Sequence, residues 1–167
     1  QHQPTVLFNG MINPVIPYAI RGAIWYQGES IVGGRAGVAL YPHTMETLVK
    51  DWRSRWGEGT FPFDFVQLAA LKNVSNNPAV REGQAKLLSL PNTGMAVTID
   101  IGDPQVLHPP NKQELGRRLS IAARHLIYGE KIAPSGPEPL DARIAQSHVA
   151  VSFDDITGAL VSYSGNP

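Results

Sequence analysis

Two apolar patterns alternate along the chain: short runs crowded with β-branched and aromatic residues, and longer stretches whose apolar positions recur every three or four residues. The first predicts strands and the second amphipathic helices. Residues 21–27 (R-G-A-I-W-Y-Q) read as a buried strand that stops at Gly28. Over 41–56, Met45, Leu48, Val49, Trp52 and Trp56 share one helical face, and Gly57 and Gly59 end it. Residues 61–69 (F-P-F-D-F-V-Q-L-A) form the next predicted strand, with Pro62 near its start where a missing N–H matters least. A helix is predicted over 78–90, opened by Pro78 and stopped by Pro91, and a strand over 95–101. Over 111–128, Leu115, Leu119, Ala122, Ala123, Leu126 and Ile127 form one stripe ahead of Gly129. Upstream, residues 9–19 are apolar but broken by Pro14 and Pro17, which predicts a short kinked helix or a helix and a turn.

Strands separated by helices of this length imply parallel β-α-β units with the functional loops at the strand carboxyl ends. After Ile132 the pattern changes. Residues 134–139 (P-S-G-P-E-P) are turn-rich, whereas 147–153 and 158–163 alternate with period two, predicting antiparallel strands around a turn at 155–158. Residues 1–133 are therefore read as one α/β domain and 134–167 as a β-rich tail. Two lone strands are marginally stable, so the tail is expected to dock on, or continue into, further structure.

Composition narrows the function. A chain of 167 residues, 43% hydrophobic, can bury one ordinary core. Fourteen basic residues balance fourteen acidic ones, leaving no footprint for nucleic acid or an anionic membrane. A neutral, sugar-like ligand is compatible with that balance. The absence of cysteine excludes disulfides, a thiolate nucleophile and a Cys-based zinc site. No apolar run approaches the roughly 20 residues needed to span a bilayer. His43 and His125 fall in predicted helices, His2 and His148 are isolated, and none has a partner at i+4, so neither metal nor cofactor is expected.

Two constellations carry chemistry. In W-Y-Q-G-E-S (Trp25 to Ser30), a neutral amide, Gln27, a permissive Gly28 and a carboxylate, Glu29, meet at a predicted strand end. Gln27 can donate to a developing oxyanion and Glu29 can hold that amide or accept from substrate. The plain alternative is a polar strand end with satisfied hydrogen bonds. In D-I-G-D-P-Q-V-L-H-P-P-N-K, His108 sits on a proline-braced loop after a strand. Such a histidine acts as a general base when a carboxylate orients it, with Asp103 the natural partner and Asp100 the reserve. A solvent-exposed structural histidine is its plain alternative. Arg117 and Arg118 read as a solvated or strand-capping helix face, and all three tryptophans as core.

With these motifs together, the chain resembles the sialate O-acetylesterase and related carbohydrate acetylesterases of the SGNH hydrolases. The likeness rests on L-F-N-G-M-I-N-P (Leu7 to Pro14), G-A-I-W-Y-Q-G-E-S, D-W-R-S-R-W-G (Asp51 to Gly57), F-P-F-D-F-V-Q-L-A, R-E-G-Q (Arg81 to Gln84) and the His108 block, all in the family's order. The resemblance implies a three-layer α/β/α, flavodoxin-like parallel sheet and a serine esterase that removes acetyl groups from an acetylated carbohydrate such as sialic acid or xylan. It implies His108 as the motif histidine, Gln27, Gly28 and Glu29 on the oxyanion side, Asn9 and Gly10 in a block facing the site, and a secreted or periplasmic setting.

Three departures stand out. The family's nucleophile lies in a Gly- and Ser-containing turn before the segment matching Leu7 to Pro14, and no such turn precedes it here. The serine is thus expected from an N-terminal segment or complementary chain, and these residues alone are expected to be inactive. Ile31 stands where many relatives have Asn, and Gln105 and Val106 stand where relatives place the triad acid, which leaves the role to Asp103. Ser30 lacks a G-x-S-x-G elbow, and Ser135 and Ser164 lie in turn-rich stretches. Two other readings are a non-catalytic carbohydrate-binding or structural descendant, and a glycosidase, for which a second carboxylate roughly 5 to 9 Å from Glu29 would be needed.

Overall fold

The computed structural model describes residues 3–72, 74–154, 156 and 158. Strands β1 (Ala23–Trp25), β2 (Phe63–Val66) and β3 (Thr93–Ala96) form a parallel sheet in that spatial order. Helix α1 (Arg35–Trp56) joins β1 to β2, α2 (Asn77–Ala85) and a 3-10 turn (Lys86–Ser89) join β2 to β3, and α3 (Lys112–Tyr128) follows β3. Parallel neighbours need such crossovers, because a tight hairpin cannot return the chain to the same end.

All four residues of β2 are buried, as a central parallel strand covered on both faces requires. Phe63 and Phe65 point to one side and pack with Tyr41, Met45 and Val49 of α1 and with Val80 and Leu87. Val66 and Ala96 meet Leu119 of α3 on the other. This is the three-layer α/β/α arrangement that the resemblance implies. Trp25, Trp52 and Trp56 sit against the first cluster, with Trp25 and Trp52 edge to face at 5.8 Å, so their core reading stands. Arg53, from D-W-R-S-R-W-G, donates to the Phe61, Pro91 and Asn92 carbonyls and ties the amino ends of β2 and β3 together.

The predicted elements are present with shifted ends. Helix α1 begins six residues before the predicted start and runs through Pro42, whose ring packs on Gly83 of α2; a Cβ there would meet Pro42 Cγ at 3.1 Å. Strand β3 starts earlier and ends at Ala96, because the Thr98 hydroxyl donates to the Gln67 carbonyl at 2.5 Å and the chain turns. Residues 9–19 become a π-helical turn (Phe8–Ile12) and a 3-10 turn (Asn13–Val15).

The tail holds a strand that the sequence reading took for a turn. Strands β4 (Glu138–Ala145) and β5 (His148–Asp154) pair antiparallel with Ala145 opposite His148, so a turn lies at Gln146 and Ser147; β5 coincides with the strand predicted over 147–153, and the turn predicted at 155–158 falls in part outside the described residues. Prolines 137 and 139 disguised the first strand as a turn. A two-stranded ribbon has only edges, where proline is tolerated, and the register shifts between Pro139 and Asp141. His2, Ser164 and residues 159–163 of the second predicted strand lie outside the described residues.

Candidate active site

The carboxyl end of β1 runs into Gln27, Gly28 and Glu29. Gly28 is buried with φ at +150°, and a Cβ there would press on Leu68 at 3.2 Å and on Gln84 Nε2 at 3.4 Å, so the turn needs glycine. The Gln27 carbonyl accepts the Tyr41 hydroxyl at 3.0 Å and Gln84 Nε2 at 3.4 Å. Its half-buried side-chain amide donates to Ser30 Oγ at 3.4 Å. Glu29 is close enough to Tyr26 and Tyr41 to add to the upward push that burial gives both phenols.

The His108 loop leaves the carboxyl end of β3 and is held at several points. Gly102 lies on Ala69, where a Cβ would come within 2.6 Å, and the Lys72 N–H donates to the Pro104 carbonyl at 2.7 Å. Asp103 Oδ1 accepts the Gln105 N–H at 2.8 Å, and the Val106 N–H returns to the Asp103 carbonyl at 3.0 Å. Asp100, the reserve partner, gives both oxygens to Arg118 at 2.6 and 2.7 Å, and those bonds hold its carboxyl below the ordinary range. His108 is exposed and is followed by fully buried Pro109. Among the described residues, no hydrogen bond joins His108 to Asp103 or Asp100.

The two constellations meet. Glu29 and Leu107 line one small cavity with Leu68 and Asn77, and Lys112 Nζ stands 4.7 Å from the centre of the Tyr26 ring. Gln27, Gly28, Glu29 and the His108 loop therefore share the carboxyl end of the sheet. Asn9 and Gly10 do not join them. The neighbouring Phe8 ring lies under the Arg55 guanidinium at 4.5 Å, and the Tyr18 carbonyl accepts Trp56 Nε1. Those contacts set the segment at the C-terminus of α1, which returns the chain to the strand amino ends.

Behind the strand ends stand Gln84 and Asn77, to which motif reading gave no role, and Arg118. Gln84 is 1% exposed; its Oε1 accepts the Leu68 N–H at 2.9 Å and its Nε2 donates to the Val66 carbonyl at 3.1 Å. Asn77 donates to the Ala69 carbonyl, and its buried Oδ1 has no partner among the described residues. Arg118 does cap a strand, as read, donating to the Val97 carbonyl at 2.7 Å. A signal for Gln84 existed: it falls on the stripe of Val80, Gly83 and Leu87, where an amide side chain is out of place on a helix face turned inward. Among the described residues, no three His, Asp or Glu side chains are grouped as a metal site, and no helix is long and apolar enough to cross a membrane.

Comparison with known proteins meets this geometry. The family model described as "Carbohydrate esterase, sialic acid-specific acetylesterase" matches residues 5–125. The chain is 36% identical to the sialate O-acetylesterase of Mus musculus over 166 residues, 86% of this chain and 30% of that protein. It is also 36% identical to the Homo sapiens protein of the same name over 157 residues, 81% of this chain and 30% of that one. A carbohydrate acetylesterase from Xanthomonas citri, solved by crystallography, superposes with a TM-score of 0.83 at 40% identity, over 91% of this chain and 36% of its own. The chain thus spans about a third of the length of these relatives. The matched segment holds both strand-end constellations and all three layers of the fold, and by it the chain belongs to the carbohydrate esterase, sialic acid-specific acetylesterase family.

Proposed function

We propose that this chain supplies the histidine and oxyanion sides of an esterase site that removes O-acetyl groups from a carbohydrate, sialic acid or a polysaccharide such as xylan. One observation carries the reading: Glu29, at the end of the Gln27 to Glu29 turn, and Leu107, beside His108, line a common cavity at the strand carboxyl ends. A serine from sequence outside these residues attacks the acetyl carbonyl. His108 takes its proton and gives it to the departing sugar oxygen, leaving an acetyl-serine, and then activates the water that releases acetate and restores the serine. Gln27 and the backbone at Gly28 hold the oxyanion, with Glu29 fixing substrate or amide. Asp103 spends one oxygen on its own loop, and in this reading its second oxygen accepts from the His108 ring once the site closes on substrate, a bond not made among the described residues. Asn9 and Gly10 take no part, and the β4–β5 hairpin forms a separate β element.

The test is hydrolysis of a chromogenic acetate ester by the full-length polypeptide, its His108→Ala variant and residues 1–167 alone. Turnover is expected only in the first, and activity retained by His108→Ala would sink the mechanism. General-base removal of this kind costs about 10²-fold or more in rate.

A further inference from the structure

We propose that Tyr41 and Gln84 are positioning residues that fix the Gln27 to Glu29 turn from beneath, an inference that rests on the esterase reading of that turn. Tyr41 and Gln84 are 2% and 1% exposed, so neither reaches a substrate. Both spend a donor on the same atom, the Gln27 carbonyl, at 3.0 and 3.4 Å. Gln84 also donates to the Tyr41 hydroxyl at 3.4 Å and to the Val66 carbonyl at 3.1 Å, and it accepts the Leu68 N–H at 2.9 Å. One amide thereby sets the spacing between the ends of β1 and β2.

The Gln27 carbonyl belongs to the peptide that ends in the Gly28 N–H, so whatever orients that oxygen also aims the N–H. Gly28 is further pinned by Leu68 and Gln84, which a Cβ would crowd at 3.2 and 3.4 Å. Oxyanion donors need placement to about half an ångström, and a misplacement of about 1 Å costs on the order of 10²-fold in rate. Ground-state binding, set elsewhere on the sugar, is largely indifferent to that distance. Loss of the tether therefore lowers kcat and spares KM.

Tyr41→Phe keeps the ring and removes the donor. In the full-length polypeptide, its kcat on a chromogenic acetate ester, normalised to folded protein, is expected to fall about 10-fold or more with KM within twofold. Amide hydrogen exchange at residues 28–30 is expected to quicken about 10-fold while Met95 and Ala96 keep their parent rates. Parent-like exchange at 28–30, parent-like kcat, or a matched change in KM would overturn the proposal. If Tyr41→Phe does not fold, Gln84→Glu, which keeps the acceptor for Leu68, decides by the same readouts. A parent enzyme that releases no acetate would remove the esterase reading alone, and exchange at 28–30 would still decide the tether.

Discussion

Asp64 shows at the scale of one residue how far a motif can hide its physics. It stands in F-P-F-D-F-V, on the α3 face of β2, 2% exposed, and its Oδ1 has no hydrogen-bond partner among the described residues. Opposite it, Gly94 leaves the space: a Cβ there would lie 2.5 Å from Asp64 Oδ1, 3.0 Å from Leu126 and 3.2 Å from Ala122. Burial among apolar neighbours disfavours the carboxylate and raises its pKa to about 6. A folded pKa above the unfolded one means that protonation favours the fold. That contribution is complete below about pH 4 and is lost as pH rises through 6. Each unit of separation is worth about 1.4 kcal/mol, so the rise from 3.8 to about 6 means that the ionised form costs the fold on the order of 3 kcal/mol at neutral pH. Asp64→Asn is expected to gain stability over the parent progressively between pH 4 and 7, measured by urea unfolding, and a pH-independent difference would contradict this. The sequence reading saw only a strand residue here, because period and propensity do not reveal which face of a central strand lacks a polar partner.

Among the elements, strands and helices were legible in kind because their apolar periods differ, and their ends were not, because side chains reaching across layers decide them. Thr98 ends β3 early, Pro42 is accommodated by Gly83, and the prolines before β4 obscured a strand. The start of α3 was readable, since Asn111 accepts the Glu114 N–H at 3.2 Å as a cap. One turn on, Glu114 takes hydrogen bonds from Arg117 and Arg118, which hold its carboxyl down to about 2. Arg118 then bridges α3 to Asp100 and to the end of β3 with a planar fork. A lysine ammonium cannot match those acceptors at once. Arg118→Lys is expected to lose about 1 to 2 kcal/mol in thermal or urea unfolding, with amides 98–103 exchanging faster than those of β2. The fork also occupies both oxygens of Asp100, the reserve partner for His108, which no spacing rule could have told.

For the whole molecule, the resemblance carried the layers correctly. The hairpin of β4 and β5 pairs within itself and is exposed almost throughout, including Ile144 at 85% and Val149 at 62%. Its removal should therefore cost the α/β unit little. A chain ending at residue 133 is expected to keep its main calorimetric transition within a few degrees of the 167-residue chain, and collapse of that transition would show the tail to be integral.

Each helix lends one side chain to one strand end: Tyr41 of α1 to the Gln27 carbonyl, Gln84 of α2 to that of Val66, and Arg118 of α3 to that of Val97. The frame at the rim of the sheet is thus set from the body of the protein and not by the loops above it. Those loops can lengthen, shorten or exchange residues without disturbing the strand ends, so the outline of an acceptable ligand can drift over generations while its reacting atoms meet the same fixed floor.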